Sequence, residues 1–124
     1  MSDGFRLRPP RLKETHVRDA CLDLLRLHRY RPFRQNSGLL TTADGRKITV
    51  GERGLPDYIV MHGQHRSFLL EFKRPGGVLS NIQLMKIAEL TNGWDLPVAV
   101  ISSVEALSDW LAEHERLLPP AKAP

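Results

Sequence analysis

The segment Ser67-Phe68-Leu69-Leu70-Glu71-Phe72-Lys73 constrains this chain more than any other. Side chains alternate along a strand, so Phe68, Leu70 and Phe72 share one face while Leu69, Glu71 and Lys73 share the other. Apolar residues begin both faces, the pattern of a strand covered on each side. Two opposite charges then fall on a single face at its C-terminal end. Such a strand is expected to be covered on both sides of a sheet, with a carboxylate and an ammonium at its rim that form either an ion pair at a fraying strand end or part of a site.

The remaining elements read from periodicity and punctuation. Apolar positions Val17, Cys21, Leu24 and Leu25 predict a helix from Leu12 to about His28. Pro32 forbids its continuation through 29–34, which reads as a connection. Leu39–Thr42 and Lys47–Val50 are short extended runs around Asp44-Gly45, a hairpin signal. Gly51–Pro56 reads as a loop, followed by strands over Asp57–His62 and Ser67–Lys73 with a turn at Gly63-Gln64. Ser80-x-x-Gln83 has the form of a capping box and opens a second helix, with Ile82, Met85 and Ala88 or Glu89 along one face and Asn92-Gly93 as its stop. Pro97–Ile101 reads as a short, fully apolar strand. A third helix follows from about Ser102, with Val104, Leu107, Trp110 and Leu111 as its buried stripe. A helix crossing from the Ser67 strand to the Pro97 strand makes those two parallel neighbours. The expected fold is α/β, a mixed central sheet flanked by helices, in the order α-β-β-β-β-α-β-α.

With 124 residues the chain makes one domain, expected over 12–118, after an extended basic lead-in at 1–11 and before a loose tail at 119–124. Apolar residues at 41% and charged residues at 26% exclude disorder and fibrous repeats. No apolar run approaches the roughly 20 residues of a transmembrane helix, and the N-terminus has no apolar stretch of the secretory kind. The single cysteine, Cys21, forms neither an internal disulfide nor a structural zinc site, and its place on the helical stripe makes it inert core. A cytoplasmic setting is expected, the bacterial nucleoid or a virus-infected bacterial cell.

Charge is unevenly spread. The net charge is +4, from 18 basic and 14 acidic residues, and 13 of the basic residues are arginine. Residues 1–62 carry 12 basic and 7 acidic groups, whereas residues 63–124 carry 6 and 7. An arginine-rich, basic N-terminal half fits a polyanionic partner, because guanidinium is shaped for bidentate phosphate contact.

Chemistry concentrates on a few side chains. Asp57 opens the strand before the Glu71 strand, and antiparallel pairing places the two carboxylates at the same end. Like charges directly opposite repel, and a divalent cation between them removes that cost. Glu14, three residues before Val17, lies on the stripe of the first helix, where a carboxylate serves either the helix dipole or a site. Gln83 is the third residue of its capping box, and Lys86 follows one turn later, able to face phosphate or solvent. No nucleophile-and-base set, glycine-rich phosphate loop or dinucleotide fingerprint is present.

Taken in order, Glu14, Gly54-Leu55-Pro56-Asp57, Glu71-Phe72-Lys73 and Gln83 resemble the PD-(D/E)XK nuclease superfamily, and more narrowly its VRR-NUC branch, the virus-type replication and repair nucleases. The likeness runs from about Leu12 to Ile101 and takes in Arg34-Gln35-Asn36-Ser37-Gly38, which looks like the family's polar segment before the hairpin. It implies a restriction-endonuclease-like core and metal-dependent hydrolysis of DNA phosphodiesters, on branched DNA such as four-way junctions or flaps, by a homodimer. It assigns Asp57, Glu71, Lys73 and Gln83 as catalytic. Mg²⁺ or Mn²⁺ would be held by Glu14, Asp57, Glu71 and the Phe72 main-chain carbonyl. Arg6, Arg8, Arg11, Arg29, Arg31, Arg34, Asn36 and Lys86 are the expected DNA contacts. The alternative is a non-catalytic DNA-binding module using the same basic surface. If the arginines meet backbone phosphates, DNA affinity falls steeply with added salt through counterion release; a flat titration against salt would remove the charge argument.

Overall fold

A computed structural model describes residues 14–35 and 38–117. Its elements are α1 (Glu14–Leu27), β1 (Arg31–Arg34), β2 (Gly38–Thr41), β3 (Lys47–Val50), β4 (Tyr58–Met61), β5 (Phe68–Phe72), α2 (Asn81–Ala88), a π-helical turn (Glu89–Gly93), β6 (Val98–Ile101) and α3 (Val104–Leu117). The main sheet has the order β1-β4-β5-β6, with β5 and β6 parallel and the other pairs antiparallel. It is mixed and flanked by helices, as the sequence predicts. The segments 1–11 and 119–124, expected to be a lead-in and a tail, lie outside the described residues.

The core forms on one face of this sheet. Val17, Cys21 and Leu25 from α1 and Leu107 and Leu111 from α3 pack with Tyr58, Val60, Phe68, Leu70, Phe72, Ala99 and Ile101. Burial pushes the Cys21 thiol up to about 11, aided by the charge of Glu105, so the thiolate is suppressed in this core. Every residue of β5 is buried, including Glu71. The opposite face carries Ile59, Leu69, Glu71, Val98 and Val100, beside which α2 lies. Its cover is incomplete, for Phe33, Met61 and Val100 are each more than two-fifths exposed.

Two expectations are corrected. Residues 31–34 form a strand rather than a connection, paired through Pro32 opposite Val60. Pro32 is tolerated because β1 is an edge strand, whose outward side makes no ladder hydrogen bonds. The hairpin β2–β3 stands as its own two-stranded sheet instead of joining the central one. Its connection is a five-residue loop, 42–46, in which Thr42 and Asp44 hydrogen-bond and Gly45 takes φ +88°. The face of α2 that carries Ile82 and Met85 lies outside the core: none of the helix's residues is buried, and these two are 43% and 73% exposed. In β6, Ala99 and Ile101 are buried in the core while Val100, on the other face, is 41% exposed.

At the sheet end remote from Asp57 and Glu71, aromatic and titratable side chains tie the layers together. The Tyr30 hydroxyl donates to Glu115 Oε1 at 2.6 Å, and burial plus that bond hold its phenol well above the ordinary range. His114 is 4% exposed, stacks on Trp110 and meets Phe68 edge-on; its Nε2–H donates to the Arg66 carbonyl at 2.7 Å. Burial, reinforced by the neighbouring His65, lowers its pKa below the usual 6.5, against the opposing pull of the Arg66 carbonyl and Glu115. The fold therefore prefers neutral His114. Its stabilising contribution is complete above the unfolded-chain value and declines as pH falls through about 6.5, where the unfolded chain takes up the proton first. Replacing His114 by Phe keeps a ring but removes the donor. We expect the variant's stability deficit to be largest at alkaline pH and to narrow as pH drops through that window in denaturant melts; a deficit independent of pH would contradict the neutral assignment.

Candidate functional site

The site is built at the C-terminal end of β5. Tyr58 pairs with Leu70, and continuing that antiparallel register by one residue sets Asp57 opposite Glu71. Residues opposite one another share a face, so both carboxylates point toward α2. They line one open cleft of about 290 Å³ with Arg53, Gly54, Leu55, Ser80, Ile82 and Gln83. The juxtaposition expected from the sequence is present.

Each side chain is fixed by its surroundings. The Asp57 backbone carbonyl accepts from the Gln35 N–H at 2.7 Å, and its Oδ2 accepts from the Phe72 N–H at 3.3 Å. Asp57 thus reaches across to the strand that carries Glu71. Glu71 is 4% exposed, and its Oε1 accepts from Gln83 Nε2 at 3.1 Å. Gln83 completes the predicted capping box, with its N–H donating to Ser80 Oγ and its Oε1 accepting from the Ser80 N–H. One amide therefore does two jobs. Its oxygen caps the helix, so its nitrogen must face Glu71.

The loop before Asp57 is fitted closely to α2. Gly54 takes φ +84°, and a Cβ there would come within 2.7 Å of Ile82 Cγ2 and 2.8 Å of the Ile82 carbonyl oxygen. Only glycine suits both the conformation and the contact. Lys86 fastens the same loop, donating to Glu52 Oε2 at 2.7 Å and to Glu89 Oε2 at 3.1 Å. These two carboxylates, Glu52 foremost, raise the Lys86 ammonium above its ordinary pKa.

The other expected site residues are placed as follows. Lys73 follows β5 directly, its N–H donating to the Ile101 carbonyl at 2.9 Å. Its half-buried side chain lines an adjoining cleft of about 370 Å³ with Arg74, Val78, Leu84 and Val100, rather than the cleft of the two carboxylates. Lys86, expected to meet DNA, is committed to Glu52 and Glu89, with its side chain only 16% exposed. Arg29, Arg31 and Arg34 are exposed; Arg31 lies over the Phe33 ring and Arg34 over Tyr58. Glu14 is the first residue of α1, and its side chain lies outside what is described, as do Arg6, Arg8, Arg11 and Asn36. Among the described residues no three of His, Cys, Asp and Glu form a metal-binding group. Among the described residues lining the cleft, the carboxylates are those of Asp57 and Glu71, hard ligands of the type that Mg²⁺ and Mn²⁺ accept.

Sequence reasoning passed over Arg53 and the Glu52–Lys86 contact. The signal available was the charged pair Glu52-Arg53 held between Gly51 and Gly54 just before Pro56-Asp57, a loop too short to carry its charges away from the site. No protein-family model matches this chain, and no curated protein matches it.

Gln83→Glu is the informative substitution here. A glutamate still accepts from the Ser80 N–H and keeps the cap, but it sets a second carboxylate against buried Glu71. We expect it to cost about 1–3 kcal/mol at neutral pH, with partial recovery in acid, where one carboxyl takes up a proton. Equal melting of variant and wild type across that range would mean that Gln83 does not support Glu71.

Proposed function

We propose that this chain is a Mg²⁺- or Mn²⁺-dependent DNA nuclease of the VRR-NUC type. The observation that carries the reading is the convergence of Asp57 and Glu71 on one solvent-open cleft, with Glu71 buried and held by Gln83. An ion pair or a turn residue explains either carboxylate alone. Neither explains two carboxylates placed opposite each other with no arginine or lysine salt-bridged to Asp57 among the described residues.

Asp57 and Glu71 would hold the ion, with the Phe72 main-chain carbonyl and Glu14 as further oxygen donors. When bound, a divalent cation polarises the scissile phosphate, lowers the pKa of the attacking water and stabilises the leaving oxygen. The protein's own part is positional. The Phe72 N–H fixes the Asp57 carboxylate, and Gln83 Nε2 fixes that of Glu71, so both keep their direction in the free enzyme. Lys73, in the neighbouring cleft on the same sheet edge, would bring its ammonium to the phosphate and offset the charge that builds on its oxygens during attack. Gln83, already donating to Glu71, would orient the water or an adjacent phosphate. Arg29, Arg31 and Arg34 would contact the backbone of the same DNA. Action on branched DNA by a homodimer, with two sites related by a two-fold axis, belongs to the same proposal and rests on the family resemblance.

The test is cleavage of labelled junction, flap, single-stranded and duplex DNA with each metal. Asp57→Ala and Lys73→Ala should each lower the rate by about a hundredfold or more while leaving DNA binding largely intact. Turnover retained in either variant, after exclusion of contaminating nuclease, refutes the assignment. DNA binding with no metal-dependent cleavage of any substrate would instead favour the non-catalytic binding module.

A further inference from the structure

A second groove adjoins the carboxylate cleft and is not used by the mechanism above. It has a volume of about 360 Å³ and is lined by Arg53, Ile82, Met85, Lys86 and Glu89. Arg53 and Ile82 line both hollows, so the two border each other. The floor is apolar and open to solvent, with Ile82 43% and Met85 73% exposed.

The charges of this groove are unevenly committed. Lys86 is paired with Glu52 and with Glu89, which accounts for both carboxylates and for the ammonium. Arg53 is exposed, and among the described residues it makes no hydrogen bond, ion pair or stacking contact. Among the described residues it is therefore a cation without a partner where the two hollows meet. Its neighbour Gly54 is locked against Ile82, so the backbone carrying Arg53 is held while the guanidinium remains available.

We propose that the second groove is a nucleotide subsite. Arg53 holds the phosphate next to the scissile one, and Ile82 and Met85 receive the sugar and base attached to it. This rests on the nuclease reading for the position of the scissile phosphate. The chemistry follows from the lining: a guanidinium binds a phosphodiester through two parallel N–H···O bonds, and an apolar floor beside it suits the unhydrated face of a nucleoside. A bare inorganic anion would leave the floor without a counterpart, and a neutral apolar ligand would leave the cation without one.

The experiment measures binding of a labelled oligodeoxynucleotide, single-stranded and duplex, across a salt series in calcium, together with cleavage kinetics in Mg²⁺ and Mn²⁺. Arg53→Ala should weaken binding and reduce the salt slope by about 1, the loss of one phosphate contact. Arg53→Lys should retain the slope with weaker binding, because the point charge remains but the fork does not. Met85→Glu should weaken binding, while Ala112→Glu, the same charge change on the exposed side of α3, should not. In cleavage, the Arg53→Ala loss should fall on KM more than on kcat. An Arg53→Ala protein with unchanged slope and affinity overturns the subsite, as does wild-type protein that binds no DNA. The two readings fail separately. A protein that shows the Arg53-dependent slope but never cleaves keeps the phosphate clamp and loses the nuclease. One whose cleavage depends on Asp57 but not on Arg53 does the reverse.

Discussion

Glu71 sits 4% exposed at the end of a strand whose other residues are all apolar. Removing a carboxylate from water costs several kcal/mol unless it is hydrogen-bonded, so everything around it is arranged to make that position tolerable. One of its contacts is the amide of Gln83, and that amide is itself oriented by the helix cap it completes. The cap thus does more than start α2. It fixes which end of the amide meets the strand, and through it the direction of Glu71. Asp57 is held from the same side of the sheet by the Phe72 N–H, so the two acids are positioned by the backbone of one strand and the first turn of one helix.

Cations around the cleft have divided roles. Lys86 is spent on architecture, bridging the loop at Glu52 to the helix at Glu89. Lys73 lies in a neighbouring hollow beside the carboxylates, and Arg53 lies at the mouth of their own. A site with all its positive charge paired internally would present a neutral surface to a polyanion. Here one lysine closes the structure, which leaves other positive groups available at the rim.

The strand pattern at Ser67–Lys73 was sufficient to place β5 at the centre of a covered sheet, and the antiparallel register then followed for Asp57 and Glu71. The capping box at Ser80 was equally readable, because Ser and Gln at that spacing have one local geometry that satisfies both. Other features were hidden for identifiable reasons. β1 contains Pro32, which argues against a strand until one knows that it lies on an edge. The apolar residues of α2 share one face in sequence, but spacing does not say whether that face is covered; the helix is anchored at its first turn and through Lys86, and Ile82 and Met85 remain at the surface. Lys73 shares a face with Glu71 by alternation, but the turn beginning at Arg74 opens a separate hollow beneath it, which spacing alone cannot show. Arg53 was obscured by lying in a loop, where no periodicity assigns direction.

The Lys86 bridge and the Gly54–Ile82 contact join residues 51–57 and 80–89 at two points, although more than twenty positions of chain separate them. Mechanically these two stretches behave as one piece. A transplant of the cleft onto another scaffold would have to carry both stretches together with the end of β5, since either stretch alone arrives without the partner that sets its shape. For the same reason, sequence drift in the loop is coupled to drift in the helix: a side chain at position 54 or a lost charge at position 52 must be answered on the far segment.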